Sequence, residues 1–279
     1  MANPLLLPFE IKKEKSKDGF IVRDHPSTVI ETPSIFNYVD LPDTSYILDL
    51  PSETINSGGL SAIQLETIIY SCQRHEQKLS DGSRAGFLIG DGAGVGKGRM
   101  AAGIIFENFI RGRKKSIWFS ISTDLKYDAE RDLRDIGCAD KIAVHAVNKL
   151  KNSTARTNVT TSTKEGVIFC TYSDLINELS SSTKRLLCLE QLLKWCGPNF
   201  DGVIVFDECH RTNDINFSGS TNKRKIELAV LQFQNKLPNA RIVYISTTAV
   251  SEPRSMASMV RLGLWGQDTP FKGKYFILY

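Results

Sequence analysis

The glycine-rich segment Asp91–Gly98, which reads DGAGVGKG, constrains the fold more than any other part of the sequence. It follows a short apolar run, Gly86–Gly90, that predicts a strand, and it precedes a helical pattern that ends at Arg111. Glycines let backbone N–H groups curl around a phosphate chain, and the following helix directs its positive end there. Lys97 is placed to reach the β and γ phosphates. The segment therefore predicts a strand, a phosphate loop and a helix.

Two departures from the strict P-loop pattern leave alternatives open. Asp91 stands where the first glycine is expected, and Gly98 stands where Ser or Thr would ligate Mg²⁺. The rival pattern, a dinucleotide-binding G-x-G-x-x-G, lacks its third glycine in every frame and gives Lys97 no role. A glycine turn with a purely structural role is the remaining interpretation of this segment taken alone.

A second apolar run, Val203–Phe206, ends in two adjacent carboxylates, Asp207 and Glu208, with His210 close behind them. A buried strand delivers its last residues to the carboxyl edge of the sheet, where α/β proteins bind ligands. Asp207 is placed to hold Mg²⁺, directly or through water, and Glu208 to orient and deprotonate an attacking water. Taken alone, the pair fits equally well with favourable charge at a helix N-terminus.

A third run, Arg241–Ile245, ends in the small hydroxyl residues Ser246, Thr247 and Thr248, which can relay hydrogen bonds around a phosphate site. Other short apolar runs alternate with helical patterns, an arrangement typical of a parallel sheet covered by helices on both faces. The predicted strands besides those above are Ile117–Ile121, Ile142–Ala146 and Val167–Cys170, and the predicted helices are Leu60–Gln77, Thr183–Trp195 and Lys225–Leu237. The polar stretch Asn148–Glu165 predicts a surface loop.

Composition narrows the class of protein. A net charge of +4 permits contact with an acidic polymer, and two basic clusters, Arg111–Lys115 and Lys223–Lys225, are candidates, although such clusters are more often solvated faces. The six cysteines show neither C-x-x-C nor zinc-finger spacing, which favours buried, reduced thiols. No apolar run approaches the roughly 18 residues of a membrane span, and the first residues lack the basic region of a signal peptide. We therefore expect an intracellular chain without membrane contact.

The glycine-rich segment, the acidic pair and the hydroxyl residues after the third strand resemble motifs of superfamily 2 helicases. Asp91–Lys97 is similar to motif I, Asp207–His210 to a DExH motif II, and Ser246–Thr248 to motif III. More narrowly, the chain resembles the Strawberry notch family. The segments that carry this resemblance are His25–Pro26, Glu31–Thr32, Leu60–Glu66, Ala85–Arg99, Asp124–Leu133, Gly202–His210, Gln234–Pro238, Ser251–Arg254 and Trp265–Gly266. The fold it implies is an α/β RecA-like P-loop NTPase domain with a central, mostly parallel sheet flanked by helices.

The resemblance also implies roles for individual residues and assigns ATP and Mg²⁺ as cofactors. The nucleotide-binding set is Gln64, which would contact the adenine edge, with Gly92, Gly94, Gly96, Lys97, Gly98 and Arg99. Lys97, Asp207 and Glu208 are the catalytic set, with Asp207 on the metal, and His210, Ser246 and Thr248 couple the site to its surroundings. Lys126 and Thr171 would face nucleic-acid phosphates, although a surface lysine and a strand-end hydroxyl explain them equally well. The family consists of nuclear transcription regulators, so the expected partners are chromatin, DNA or RNA, and other transcription regulators.

The domain organisation expected from these features has three parts: an extended, partly disordered lead-in over residues 1–55, a helicase lobe over 56–271, and a divergent tail over 272–279. Only 31 residues follow Thr248, too few for the second lobe that superfamily 2 enzymes use. Losing the arginines of that lobe costs about 10³ to 10⁵ in rate. A fragment, a short isoform or a truncated gene model would explain this, and we expect weak ATP binding and very slow hydrolysis by the chain alone. Two functions stay open: the motor lobe of a remodeller, or a nucleotide-binding module that recruits transcription partners without turnover.

Overall fold

The computed structural model describes residues 23–26, 42–147, 163–176, 188–212, 220–246, 256, 258–265 and 269–271. Helices and strands alternate along these residues. The helices are α1 (Ser52–Asn56), α2 (Ala62–Arg74), α3 (Lys97–Ile110), α4 (Leu125–Asp135), α5 (Tyr172–Ile176), α6 (Cys188–Cys196) and α7 (Ser220–Lys236). The strands are β1 (Phe87–Ile89), β2 (Lys115–Ser120), β3 (Val144–Ala146), β4 (Gly166–Thr171), β5 (Val203–Phe206) and β6 (Arg241–Ile245). Two 3₁₀ turns, Cys209–Thr212 and Val260–Leu262, complete them.

The six strands form one sheet in the order β1-β6-β5-β2-β4-β3, and every neighbouring pair is parallel. The predicted parallel sheet is therefore confirmed. Parallel pairing places the carboxyl ends of all strands at one edge, and β6 lies between the strand of the glycine loop, β1, and the strand of the acidic pair, β5. The loop and the acidic pair are thus two strands apart at the same edge of the sheet.

Alternate side chains of each strand enter two separate cores, one on each face of the sheet. Helices α2, α3 and α4 cover one face, where they pack on residues such as Val205 and Val243. Helices α5, α6 and α7 cover the other, where a row of rings crosses three strands: Phe119 stacks on Phe206 at 5.2 Å between centroids, and Phe206 on Tyr244 at 5.8 Å. The expected layered α/β architecture with helices on both faces is confirmed.

Some element boundaries differ from those predicted. Helix α4 was not predicted, because its sequence is mostly charged and its buried residues are only Ala129 and Leu133. Helix α2 is shorter than the predicted Leu60–Gln77, and at its start the Gln64 amide oxygen accepts the Ser61 backbone N–H at 3.0 Å. Helix α7 begins five residues before Lys225. Most of the predicted loop Asn148–Glu165, and the start of the predicted helix Thr183–Trp195, lie outside the described residues.

The described residues before α1 pack against helix α3 of the sheet domain. Glu107, fully buried in α3, accepts hydrogen bonds from the Tyr46 hydroxyl at 3.0 Å and from the Asp49 backbone N–H at 2.9 Å. Arg111 extends the contact by donating to the Ile47 carbonyl oxygen at 2.6 Å. All six cysteines are buried and free, as expected. No helix among the described residues is long and apolar enough to cross a membrane.

Candidate nucleotide site

A cleft of about 680 Å³ lies at the carboxyl edge of the sheet. It brings together Gln64 and residues of two predicted motifs, the glycine loop and the acidic pair. Those that line it are Gln64, Gly94, Gly96, Lys97, Gly98, Arg99, Asp207 and Glu208. Residues 23–26 of the lead-in and one face of α4 complete the lining. The sequence had predicted the first group as one site, whereas nothing in the periodicity had placed α4 there.

The glycine loop curls around its own lysine. Gly94 and Gly96 adopt the left-handed conformation, with φ of 87° and 86°, which favours glycine at both positions. The Lys97 ammonium donates hydrogen bonds to the carbonyl oxygens of Asp91, at 2.9 Å, and Gly92, at 2.8 Å. A Cβ at Gly92 or Gly94 would meet nothing within 4 Å, so the loop borders open space. A phosphate chain has room to lie against this backbone.

Gln64 supports the loop from the first turn of α2. Its amide nitrogen donates to the Val95 carbonyl oxygen at 2.8 Å, and its amide oxygen accepts the Ser61 backbone N–H at 3.0 Å. A Cβ added to Gly96 would lie only 2.4 Å from that amide nitrogen, so the contact is close. Gln64 is therefore attached to the loop that would hold phosphates, and its contact with an adenine edge stays a prediction.

Asp207 is held firmly at the end of β5. One carboxylate oxygen accepts the Ser120 hydroxyl at 3.0 Å, the other accepts the Glu208 backbone N–H at 2.9 Å, and the Tyr172 hydroxyl donates to the Asp207 carbonyl oxygen at 2.8 Å. Burial raises the pKa of Asp207 to about 6, and the hydrogen bond from Ser120 opposes that rise. Neither Ser120 nor Tyr172 had been predicted as a site residue, although both lie at or beside the carboxyl end of a predicted strand.

Glu208 begins a chain of polar contacts between two strand ends. Its backbone has a φ of 50°, an uncommon conformation for a residue other than glycine and one that proteins often keep at functional sites. Its carboxylate lies 3.5 Å from His210 Nε2, and His210 Nδ1 lies 3.1 Å from the Ser246 hydroxyl. The predicted coupling residues His210 and Ser246 are thus in contact, while Thr247 and Thr248 lie outside the described residues.

The residue after the loop lysine faces a carboxylate. A Cβ at Gly98 would lie 2.0 Å from Asp132 Oδ2, so no larger residue fits there without a shift of Asp132. Burial raises the pKa of Asp132 to about 6. Arg99, the next residue, forms an ion pair with Asp135 on the same helix, α4. Asp132 lies inside a segment that carried the family resemblance, but no local pattern predicts its contact with the loop.

The two residues predicted to face nucleic acid do not line this cleft. Thr171 caps α5, its hydroxyl donating to an Asp174 carboxylate oxygen at 2.7 Å, and Lys126 forms an ion pair with Glu130 within α4. Their contact with nucleic acid stays a prediction. The basic cluster Arg111–Lys115 lies instead at the amino end of β2, the opposite edge of the sheet, where its side chains have partners within the chain.

The donor set fits a nucleotide with a divalent metal. An open backbone cradle with a lysine suits phosphate oxygens, and the N-terminus of the 14-residue helix α3 offers N–H groups without partners inside the helix. Carboxylates are the oxygen ligands that Mg²⁺ uses most often in phosphate sites, and Asp207 borders the same cleft. Among the described residues, no three or more His, Cys, Asp or Glu side chains are grouped so that they could hold a metal ion by themselves.

Known proteins are similar to this chain in sequence. A family model described as P-loop containing NTP hydrolase pore-1 matches residues 24–277. The chain is 57% identical to strawberry notch homolog 1 of Homo sapiens over 248 residues and 56% identical to strawberry notch of Drosophila melanogaster over 250. Each alignment covers 89% of this chain but only 18% and 15% of those proteins, so the chain spans less than a fifth of either. The solved ATPase core of a Sulfolobus solfataricus SWI2/SNF2 protein with double-stranded DNA aligns with 74% of this chain and 36% of its own, at 13% identity and a TM-score of 0.45.

Proposed function

The chain belongs to the Strawberry notch family of P-loop NTP hydrolases, and on that basis we propose that it is the ATP-binding lobe of a nuclear transcription regulator. In a protein of its relatives' length, such a lobe would couple ATP binding and hydrolysis to remodelling of chromatin or nucleic acid. One observation supports it above all: Lys97 of the phosphate loop and the acidic pair Asp207 and Glu208 border a single cleft. The nuclear location and the partners, which are DNA or RNA and other transcription regulators, rest on the family resemblance.

ATP would replace contacts that the loop now makes with itself. Lys97 would exchange its hydrogen bonds to two loop carbonyl oxygens for phosphate oxygens, which are charged and bind an ammonium more strongly. The left-handed Gly94 and Gly96 keep the loop backbone curved around that position. Because Gln64 is bonded to Val95 of the loop, a change in the loop on binding would also reach α2.

The two carboxylates of the acidic pair would have different roles. A divalent metal such as Mg²⁺, when bound with the nucleotide, neutralises charge on the phosphates. Asp207, fixed by Ser120 and the Glu208 N–H, would hold that metal directly or through water. Glu208 would orient and deprotonate the attacking water. His210, which lies next to the Glu208 carboxylate and contacts the Ser246 hydroxyl, would couple a change in the protonation of Glu208 to Ser246.

The alternative is a nucleotide-binding module that recruits transcription partners without turnover, and Gly98, which offers no hydroxyl to a metal, favours it. A Glu208→Gln substitution in the full-length relative separates the two, because Gln cannot act as a base. Loss of the cellular function with nucleotide binding retained would support the motor. For this chain alone we propose weak ATP binding and very slow hydrolysis, since superfamily 2 enzymes draw arginines from a second lobe.

A fluorescent ATP titration in the presence of Mg²⁺ tests the proposal. We expect Lys97→Ala to weaken binding by about 10- to 100-fold, the usual effect of losing a hydrogen bond to a charged group. Lys236→Ala is the matched control, because it removes an exposed lysine from the last turn of α7, outside the cleft. Equal affinity of the Lys97→Ala variant and the unmodified chain, or no binding by either, would contradict the proposal.

A further inference from the structure

The glycine after the loop lysine removes a metal ligand, and the structure places another oxygen beside it. A P-loop ordinarily has Ser or Thr at this position, whose hydroxyl ligates Mg²⁺. At Gly98, the space that the first side-chain atoms would take is filled by Asp132 Oδ2, 2.0 Å from the Cβ position. We propose that Asp132 takes over the role of the absent hydroxyl and is a ligand of the nucleotide-bound metal. This inference rests on the proposed function of the cleft.

Helix α4 presents Asp132 to the cleft from a fixed position. Leu125, Asp128, Ala129 and Asp132 recur every three or four residues and all line the cleft, so one face of α4 forms its wall. Leu133 and Ala129 anchor the helix in the core shared with α3. The Asp132 side chain is only 15% exposed, which limits its freedom to turn away from the loop.

The neighbouring cations leave the oxygen that faces Gly98 available. Arg99 is paired with Asp135, and the nearest Arg131 nitrogen lies 3.8 Å from Asp132 Oδ1, the other oxygen of the carboxylate. Without a metal, a carboxylate at this point would repel the phosphates of ATP. With a metal between them, the same carboxylate would attract it, so the effect of Asp132 on ATP affinity should change sign with Mg²⁺. A carboxylate that only stabilises the positive end of α3 would give no such change of sign.

The test compares ATP binding with Mg²⁺ and with EDTA for the 279-residue chain, using a fluorescent ATP analogue. We expect Mg²⁺ to increase the affinity of the unmodified chain for ATP. In Asp132→Asn this increase should be about 10- to 100-fold smaller, the usual effect of disturbing a metal site. In EDTA the same variant should bind as tightly as the unmodified chain or more tightly. Asp140→Asn, which removes an exposed carboxylate beyond the end of α4, is the matched control and should change neither affinity.

A ligand exchange supplies a second, independent measurement. Gly98→Ser alone should clash with Asp132 and weaken ATP binding, whereas Gly98→Ser combined with Asp132→Ala should recover the increase in affinity from Mg²⁺ through the serine hydroxyl.

Mn²⁺ titration in the presence of ATP, followed by electron paramagnetic resonance, measures metal binding directly. Full retention of the Mg²⁺ gain and of Mn²⁺ binding by Asp132→Asn would overturn the inference while leaving the proposed function intact. Absence of ATP binding by the unmodified chain would overturn both.

Discussion

Replacing Asp207 by Asn should make the folded lobe more stable while it damages the metal site. Burial raises the pKa of this carboxyl from its ordinary value of 3.8 to about 6, so the folded state opposes the charge that the site requires at neutral pH. Asn has nearly the same shape and can keep both hydrogen bonds, because its oxygen accepts the Glu208 N–H and its amide can donate to the Ser120 hydroxyl. The substitution therefore removes mainly the cost of a buried charge.

The size and the pH dependence of the effect follow from the two pKa values. The difference between about 6 and 3.8 corresponds to about 3 kcal/mol at pH 7, an upper limit for the gain in unfolding free energy. Because the folded state binds the proton more tightly than the unfolded chain, Asp207 is less costly as pH falls through 6. Between pH 7 and pH 5, the unmodified chain should gain about 1 kcal/mol relative to Asp207→Asn.

Urea unfolding of both proteins at pH 7 and pH 5, followed by circular dichroism, measures this double difference. The comparison cancels the contribution of other buried carboxyls to the pH dependence of the unfolding free energy. Asp132 and Glu107, whose pKa is also raised, are present in both proteins. Asp140→Asn, which removes an exposed charge, should shift neither transition. A less stable Asp207→Asn at pH 7, with the same pH dependence as the unmodified chain, would refute the reasoning.

Three further substitutions test the loop, the lead-in and the core. Gly96→Ala should weaken fluorescent ATP binding by about 10-fold, because the left-handed backbone and the nearby Gln64 both exclude a methyl group; unchanged affinity would show that the loop shape does not matter for binding. Glu107→Ala should cost about 3 kcal/mol in urea unfolding and speed hydrogen exchange at Asp49, since three partly buried donors lose their fully buried acceptor; normal exchange there would contradict this role. Phe119→Ala should cost about 3–5 kcal/mol by removing a buried ring that stacks on Phe206 and meets Phe233 edge-on, and a loss below 1 kcal/mol would mean that the core closes around the gap.

The parts of the fold that follow local patterns could be predicted from the sequence, and those that depend on packing could not. The run Val203–Phe206 is a strand with the predicted bounds, because a continuous apolar run between polar residues fits a strand buried on both faces. Helix α4 escaped prediction because only two of its residues are buried. The strand order, with β6 between β1 and β5, has no local signal, since strands that pair can lie anywhere along the chain.

The site shows the same division in a sharper form. Lys97, Asp207 and Glu208 were predicted together because each carries a recognisable motif, and the sheet brings them to one cleft. Gly98 was interpreted as a lost magnesium ligand, because the sequence shows only the missing side chain and not what fills its place. That place holds the carboxylate of Asp132, 34 positions further along and on another helix. With Asp132 as the proposed metal ligand, the site would depart from the motif at one residue and keep its chemistry through a neighbour in space, and the glycine would be a requirement of that arrangement rather than a defect. If Asp132 acts as we propose, proteins with a glycine at this position should be examined for a carboxylate on the helix packed beside the loop before their hydrolysis is discounted.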